Sequence, residues 1–218
     1  MATVMRTEGV AAAYDRWAPV YDLVFGGVFK SGRQQSIEAA EAAAGVMGGR
    51  ILEVGLGTGI SLPQYSRRNR LVGVDISASM LDKARERVRA LGLDNVEAIE
   101  VMDAENLRFG DDSFDVIVAQ YVVTAVPDPE RALDEFVRVL RPGGEIVITT
   151  RIGADKGLRG GIEKAIMPVT SRMGWRTEFP WSRYEAWARA NPRVRLIEHR
   201  PLPPLGHFSL IRYGKTPG

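Results

Sequence analysis

The sequence predicts a single α/β domain spanning residues 1–218, with a largely parallel sheet between two layers of helices. The chain has 218 residues and is 45% hydrophobic, which is enough apolar material for one core. After residue 50, apolar runs of strand length alternate with helical patterns, as in parallel sheets with crossover helices. A glycine-rich turn, Gly55 to Gly59, closes the first apolar run, as in ligand-binding β-α-β units.

The first 45 residues predict a helical extension ahead of the sheet. Aromatic and apolar residues recur at steps of three and four between residues 14 and 28, which places them on one helical face. Pro19 divides this segment into two short helices. Ser31 is the expected N-cap of a third, alanine-rich helix that ends near Gly45.

The glycine turn predicts a nucleotide-like ligand that is not a dinucleotide. Its glycines are Gly55, Gly57 and Gly59, and a helix is expected to open at Ile60. The dinucleotide pattern G-x-G-x-x-G would need glycine at position 60. The next apolar run ends in Asp75, and an acidic side chain at that place accepts hydrogen bonds from ribose hydroxyls.

The following elements continue the alternation. Ser77 is expected to cap a helix that ends at Gly92, and Asp128 a second helix that ends at Pro142. The first of these helices turns four apolar residues inwards: Leu81, Ala84, Val88 and Leu91. Further strands are expected at 96–101, 114–119 and 146–150.

The last third departs from simple alternation. Residues 151–190 predict a helical cover over the carboxyl edge of the sheet, with aromatic and apolar residues among basic ones. The closing strands, at 194–200 and 207–213, are expected to form an antiparallel pair joined by a proline-rich turn.

The charge of the chain is divided unevenly. Residues 1–150 carry 16 Lys and Arg against 22 Asp and Glu, whereas residues 151–218 carry 13 against 5. A basic last third fits an anionic partner, either nucleic acid, an acidic substrate or a membrane surface, or else it is a solvated basic face. No zinc-finger spacing or RNA-binding signature favours nucleic acid, so none is expected.

Cysteine and histidine usage limits the chemistry. The chain has no cysteine, which excludes disulfides and thiolate metal sites and fits a reducing, cytoplasmic location. It has two histidines, His199 and His207, so no metal site is expected. No apolar run approaches the ~20 residues of a membrane-spanning helix, and the N-terminal residues do not resemble a secretory signal.

The carboxyl ends of four predicted strands are expected to meet along one edge of the sheet, where ligands of such sheets bind. Asp103 follows the third strand and Gln120 the fourth. Asp103 is placed to accept from an adenine amino group, or else it caps a turn. Ile76 and Met80 are placed to pack on the adenine faces, or else they belong to the core.

Four segments resemble successive motifs of class I S-adenosylmethionine (SAM) dependent methyltransferases: Glu53–Gly59, Gly73–Ser77, Asp103–Glu105 with Ser113–Asp115, and Leu140–Gly144. The resemblance implies a Rossmann-like, seven-stranded sheet with its last strand antiparallel, SAM as methyl donor and S-adenosylhomocysteine as product. It places the methionine portion on the glycine turn, the ribose on Asp75, and the adenine on Asp103 and Ala104. The expected cofactor-binding residues are Tyr21, Glu53, Gly55, Gly57, Gly59, Asp75, Ile76, Met80, Asp103, Ala104 and Gln120.

Three further segments, 14–22, 120–127 and 204–213, resemble bacterial phosphatidylethanolamine N-methyltransferases. The first is also similar to quinone-biosynthesis C-methyltransferases. Those enzymes often carry a histidine pair after the fourth strand, where this chain has Ala125 and Val126. The resemblance implies transfer of methyl groups to the amine of phosphatidylethanolamine and its methylated products. The alternatives are a quinone or other small-molecule C- or O-methyltransferase and, more remotely, a nucleotide-binding module without turnover.

The methyl acceptor is expected to bind in an aromatic pocket, and the protein is expected to reach it at a membrane surface. Desolvation in such a pocket lowers the pKa of an acceptor amine. The expected catalytic residues are Tyr14, Tyr21 and His207, and the expected substrate-binding residues are Tyr14, Tyr121, Trp175 and Arg176. Apolar residues flanked by basic ones in the extension and the cover predict peripheral binding to an anionic membrane, at its inner face. The sequence leaves the oligomeric state open.

Overall fold

The computed structural model describes residues 29–152, 180–203 and 208–217. Within these ranges seven strands form one sheet: β1 (Arg50–Val54), β2 (Arg70–Asp75), β3 (Val96–Val101), β4 (Phe114–Gln120), β5 (Leu140–Arg151), β6 (Val194–Leu202) and β7 (Phe208–Lys215). Their order in space is β3-β2-β1-β4-β5-β7-β6. The strand β7 is antiparallel to both of its neighbours, and the pairs among β1 to β5 are parallel. The predicted α/β class, the seven strands and the antiparallel last strand are confirmed.

Helices cover both faces of the sheet. They are α1 (Lys30–Ala44), α2 (Ala78–Leu91), α3 (Pro129–Val139) and α4 (Trp181–Ala190). Because side chains of a strand alternate between faces, Ile51 of β1 packs with residues of α1 and α2, and Leu52 with residues of α3 and α4. Both strand residues are fully buried, so the parallel sheet is enclosed on both sides.

The predicted ends of two helices are confirmed. The Ser77 hydroxyl accepts from the backbone N–H of Met80 (3.2 Å), and Gly92 takes a left-handed conformation at the other end of α2. Asp128 caps α3 by accepting from the backbone N–H of Arg131 (3.2 Å), with Pro129 in the first turn. These contacts satisfy N–H groups that a helix leaves without intrahelical partners.

Several local predictions are wrong. The helix expected at Ile60 is only a 3-10 helix, Leu62–Gln64, with Pro63 in its first turn. Few residues separate the glycine turn from β2, and that span holds one short turn rather than an α-helix. Ser31 is not the N-cap of α1, because the helix begins at Lys30 and the Ser31 hydroxyl accepts from Gln35 instead (3.0 Å).

Two further differences concern α2 and α3. Leu91, expected to face inwards, is 52% exposed at the last position of α2. The helix α3 ends at Val139 rather than at Pro142, because Leu140 already pairs with Phe114 in the sheet. Therefore β5 is longer than predicted, and the residues between Leu140 and Glu145 lie in an irregularity of its pairing with β4.

The predicted N-terminal helices (before residue 29), Tyr14 and Tyr21 lie outside the described residues. The same is true of Trp175, Arg176 and His207, and of most of the predicted cover at 151–190. Within that cover the structure shows the end of β5 and the helix α4. No helix in the described part of the chain is both long and apolar enough to cross a bilayer.

Arg138 ties α3 to the loop between β3 and β4. Its guanidinium donates to the Glu135 carboxylate (2.7 and 2.8 Å), to Asp111 (2.9 Å), and to the carbonyls of Leu107 and Phe109 (both 2.8 Å). We expect Arg138→Ala to lower the free energy of unfolding by roughly 2 kcal/mol, because it leaves these acceptors without their charged donor. Urea unfolding monitored by circular dichroism measures the change.

The matched control for Arg138 is Arg189→Ala. Arg189 is 77% exposed in its side chain and meets Glu185 only at 3.7 Å, so its removal is expected to cost less than about 0.5 kcal/mol. Equal losses of unfolding free energy in the two variants would contradict the stabilising link that Arg138 makes between α3 and the loop.

Candidate functional site

The site lies at the carboxyl edge of the sheet, where the order of the strands reverses. From β1 the chain moves outwards to β2 and β3, and then returns across β1 to β4. The connections that follow β1 and β4 therefore leave in opposite directions and open a crevice between them. The glycine turn follows β1, and Gln120 and Tyr121 stand at the end of β4.

The glycine turn has a backbone that other residues adopt poorly. Gly55, Gly57 and Gly59 all have positive φ (76°, 58° and 69°). A Cβ on Gly59 would lie 2.9 Å from the Cβ of Ala84, so this glycine lets the turn pack against α2. A Cβ on Gly57 would meet nothing within 4 Å among the described residues. Among the described residues, Gly57 therefore has room beside it on the crevice side of the turn.

Asp75 fixes the shape of this turn. One carboxylate oxygen accepts from the backbone N–H of Gly57 (2.8 Å), and the other accepts from the backbone N–H of Ser77 (2.9 Å). The side chain is half-buried at the end of β2. Asp75 therefore links the end of β2 to the glycine turn.

The end of β3 supplies a second acidic group. Asp103 caps a turn by accepting from the backbone N–H of Glu105 (2.9 Å), and Ala104 beside it is buried. The cap uses one carboxylate oxygen of Asp103, so the two interpretations of this residue are compatible. Ile76 is half-buried, whereas Met80 is 1% exposed and lies within the interior. Of the two side chains predicted to pack on adenine, Ile76 offers the larger accessible surface.

An aromatic cluster lies at the end of β4. Tyr121 has a φ of 61°, which is unusual for a bulky residue and marks a constrained turn. Its ring packs against Phe29 (centroids 4.2 Å apart) and Phe208 (5.1 Å). A Cβ on Gly32 would collide with the Tyr121 hydroxyl, so glycine at this position of α1 lets the ring lie against the helix. This cluster forms an apolar wall beside the crevice.

Three side chains, Glu53, Tyr65 and Gln120, form a polar trio beneath the glycine turn. Glu53 and Tyr65 are buried, and Gln120 is half-buried with its amide nitrogen enclosed. The Ser61 hydroxyl, beyond the turn, donates to Glu53 (2.7 Å), and this bond ties both ends of the turn together. Burial raises the pKa of Glu53 to about 7, against the opposing effects of Ser61, Tyr65 and the charge of Arg33. Burial and the neighbouring Glu53 also raise the pKa of Tyr65, which is a neutral phenol.

Several polar atoms of the trio lack a hydrogen bond of good geometry. Among the described residues, Glu53 Oε2, Tyr65 Oη and Gln120 Nε2 are buried and have no partner with hydrogen-bond geometry. The Tyr65 hydroxyl is nevertheless close enough to Glu53 and to Gln120 for weak hydrogen bonding. Buried polar atoms are normally paired, so such a group in a native structure marks a place where water or a ligand completes the pairing.

Comparison with known proteins agrees with this geometry. The family described as "Methyltransferase domain" matches residues 52–148, from β1 through most of β5. A phosphatidylethanolamine N-methyltransferase of Cereibacter sphaeroides is 41% identical over 96% of this chain and 98% of that protein. The chain belongs to the methyltransferase family.

The methyltransferase uses SAM as its methyl donor. It is also similar to a demethylmenaquinone methyltransferase of Clavibacter sepedonicus, 37% identical over 64% of this chain and 56% of that protein. Among solved structures, the cyclase SpnF aligns with a TM-score of 0.80 and 18% identity, over 99% of this chain and 98% of that one. At that identity the likeness concerns the fold alone.

Sequence reasoning missed part of this candidate site. Tyr65, Phe29 and Phe208 were not predicted, because a single aromatic residue after a turn or at a strand end carries no spacing signal. Arg33 was also missed, although it lies on the buried face of α1 with Ile37 and is 7% exposed. A cation on the apolar face of a helix indicates a buried anion nearby, and the charge of Arg33 acts on Glu53.

Proposed function

We propose that the methyltransferase transfers methyl groups from SAM to the amine of phosphatidylethanolamine and of its partly methylated products. The observation that carries this proposal is the length of the similarity to the Cereibacter sphaeroides enzyme. It covers 96% of this chain, beyond the matched methyltransferase domain, whereas the similarity to the demethylmenaquinone enzyme covers 64%. Residues outside the shared domain choose the methyl acceptor, so similarity in that part favours the lipid amine.

We place the cofactor in the crevice above β1. Gly55, Gly57 and Gly59 would border its methionine portion, with Glu53 and Gln120 beneath. Asp75, already bonded to the Gly57 N–H, would accept from the ribose hydroxyls. Asp103, Ala104, Ile76 and Met80 would surround the adenine. Tyr21 belongs to the same proposed set, outside the described residues.

The chemistry asks the protein for orientation and a dry pocket, because SAM supplies an already activated methyl group. Holding the amine in line with that group is worth roughly 7–11 kcal/mol. An alkylammonium with a pKa of about 10 is neutral in about one molecule per thousand at pH 7. Deprotonating it at this pH therefore costs about 4 kcal/mol of free energy. An apolar wall at Tyr121, Phe29 and Phe208 lowers that pKa by desolvation and favours the methylated cation.

The remaining proposed residues lie outside the described part of the chain. Tyr14, Tyr21 and His207 are proposed to act on the amine, and Trp175 and Arg176 to bind the lipid together with Tyr14 and Tyr121. Phe208 directly follows His207 and lies in the aromatic cluster.

The decisive experiment supplies both candidate acceptors at once. The full-length protein is incubated with SAM carrying a labelled methyl group and vesicles of phosphatidylethanolamine, phosphatidylglycerol and a demethylated quinone precursor. We expect mass spectrometry to find the label in phosphatidylethanolamine with one, two or three methyl groups. An Asp75→Ala variant serves as the inactive control. Label in the quinone alone would overturn the proposal in favour of quinone methylation.

We also propose that the protein works in the cytoplasm as a peripheral protein at the inner face of the membrane. The last 68 residues carry 13 Lys and Arg against 5 Asp and Glu. We expect the protein to sediment with phosphatidylglycerol vesicles. The bound fraction is expected to fall several-fold as the salt concentration rises from 50 to 300 mM, because salt screens surface charge. Neutral phosphatidylcholine vesicles are the control. Equal sedimentation with both at every salt concentration would contradict electrostatic binding.

A further inference from the structure

The polar trio lies directly under the proposed cofactor site. Glu53 pairs in the sheet with Gly73 on one side and Val118 on the other, and Gln120 is two residues further along β4 than Val118. Since side chains alternate along a strand, Glu53 and Gln120 project from the same face of the sheet. Tyr65 packs on this face, after the 3-10 helix that follows the glycine turn.

Within the described part of the chain, the carboxyl group of Glu53 has few charged neighbours. Its neighbours in the sheet, Gly73 and Val118, do not titrate. From α1 it faces Arg33, whose charge favours the carboxylate, and from the segment before β2 it faces the neutral phenol of Tyr65. Glu41 of α1 acts on Tyr65. Among the described residues, Arg33 is thus the one cation shown to act on Glu53, and burial offsets its effect.

The two forms of the cofactor differ in charge. SAM carries a sulfonium, an ammonium and a carboxylate, so its net charge is +1, and the product, a thioether, is neutral overall. In a buried site with a low effective dielectric constant, one unit of charge several ångströms away changes the ionisation of a carboxyl group. Glu53 at the end of β1 is placed to respond to that difference.

We propose that Glu53 senses the charge of the bound cofactor. Its carboxyl group releases a proton to solvent when SAM binds and takes up a proton when the product is left in the site. Tyr65 and Gln120 are its positioning residues. This role presupposes the cofactor site proposed above. The Glu53 carboxylate attracts the positive sulfonium of bound SAM. The product has no sulfonium, so this attraction is absent and the carboxyl group is protonated again. The trio thereby favours SAM over product without any contact to the sulfur.

Calorimetry counts the protons. The full-length protein is titrated at pH 7 with SAM, and separately with S-adenosylhomocysteine, in two buffers of different ionisation enthalpy. We expect SAM to release about half a proton more than the product, because Glu53 is about half ionised there before binding. Between pH 6 and 8 the affinity for SAM relative to the product is expected to rise about tenfold.

Variants identify the group that responds. Glu53→Gln is expected to abolish both the proton difference and the pH dependence of the affinity ratio, whereas Glu100→Gln, an exposed glutamate on β3, leaves them unchanged. Tyr65→Phe removes a hydroxyl that favours the carboxylate, so proton release persists but its maximum moves to higher pH. A merely structural role of Tyr65 would leave this profile in place.

The outcomes separate the sensor from the site. Equal proton release with SAM and product, or release that survives Glu53→Gln, would overturn the sensor while leaving the cofactor site intact. Absence of binding for either compound would remove the site and the sensor together. The wild-type pH dependence of the affinity ratio needs no variant, so the sensor stays testable if Glu53→Gln does not fold.

Discussion

Gly57→Ala is expected to weaken the binding of SAM and of S-adenosylhomocysteine at least about a hundredfold, while the protein stays folded. The added Cβ meets no described atom within 4 Å, so it enters the space where we place the methionine portion of the cofactor. The residue must keep its φ of 58°, which costs a non-glycine residue about 1 kcal/mol of folding stability. Calorimetric titration with S-adenosylhomocysteine measures the affinity, and thermal unfolding measures the stability.

Gly92→Ala is the matched control for this prediction. Gly92 has a φ of 54° and also has nothing within 4 Å of an added Cβ, but it lies at the C-terminal end of α2, away from the crevice. Its replacement is expected to cause the same small loss of stability with wild-type cofactor affinity. If both variants bind S-adenosylhomocysteine like the wild type, the ligand does not lie over Gly57.

Glu53→Gln is expected to change how stability depends on pH. Burial raises the pKa of Glu53 from 4.5 to about 7. Between these values the folded protein holds a proton that the unfolded chain has lost, so the free energy of unfolding falls as the pH rises, and the loss is complete above pH 7. From pH 5 to pH 8 the wild type is expected to lose roughly 2 to 3 kcal/mol more than the variant.

Urea unfolding of the ligand-free protein at the two pH values measures this difference. Other carboxyl groups, such as Glu105, whose pKa burial also raises, titrate in both proteins and cancel in the comparison. Glu100→Gln should follow the wild type. If the free energy of unfolding depended on pH in the same way in the wild type and in Glu53→Gln, the Glu53 carboxyl group would not be desolvated in the folded protein.

Local sequence patterns predicted the framework because the physics behind them is local. Apolar runs and helix caps gave β1 to β4, Ser77 and Asp128 correctly, and the glycine spacing located the turn at the switch in strand order. The helix expected at Ile60 failed because the few residues between the glycine turn and β2 leave room only for a 3-10 helix. Ser31 failed because a cap depends on where the helix begins, which tertiary packing sets.

The aromatic cluster and the polar trio were beyond sequence reasoning for another reason. Phe29 and Phe208 are far apart in the chain, and only the pairing of β7 with β5 brings Phe208 next to Tyr121. Tyr65 and Glu53 meet because the turn between them folds back over β1. Such contacts depend on topology, and a single sequence contains no measure of them.

The position of β7 also has a consequence for how the chain is made. This strand follows all its neighbours in sequence and yet lies between β5 and β6, with Lys215 at its end, buried and bonded to Asp112 and Leu140 (both 2.6 Å). During synthesis, the edge of β5 that pairs with β7 therefore has no hydrogen-bonding partner in the native arrangement until β7 leaves the ribosome. A nascent chain stalled before Phe208 is exposed to edge-to-edge aggregation, and completion of the sheet is a late, long-range step.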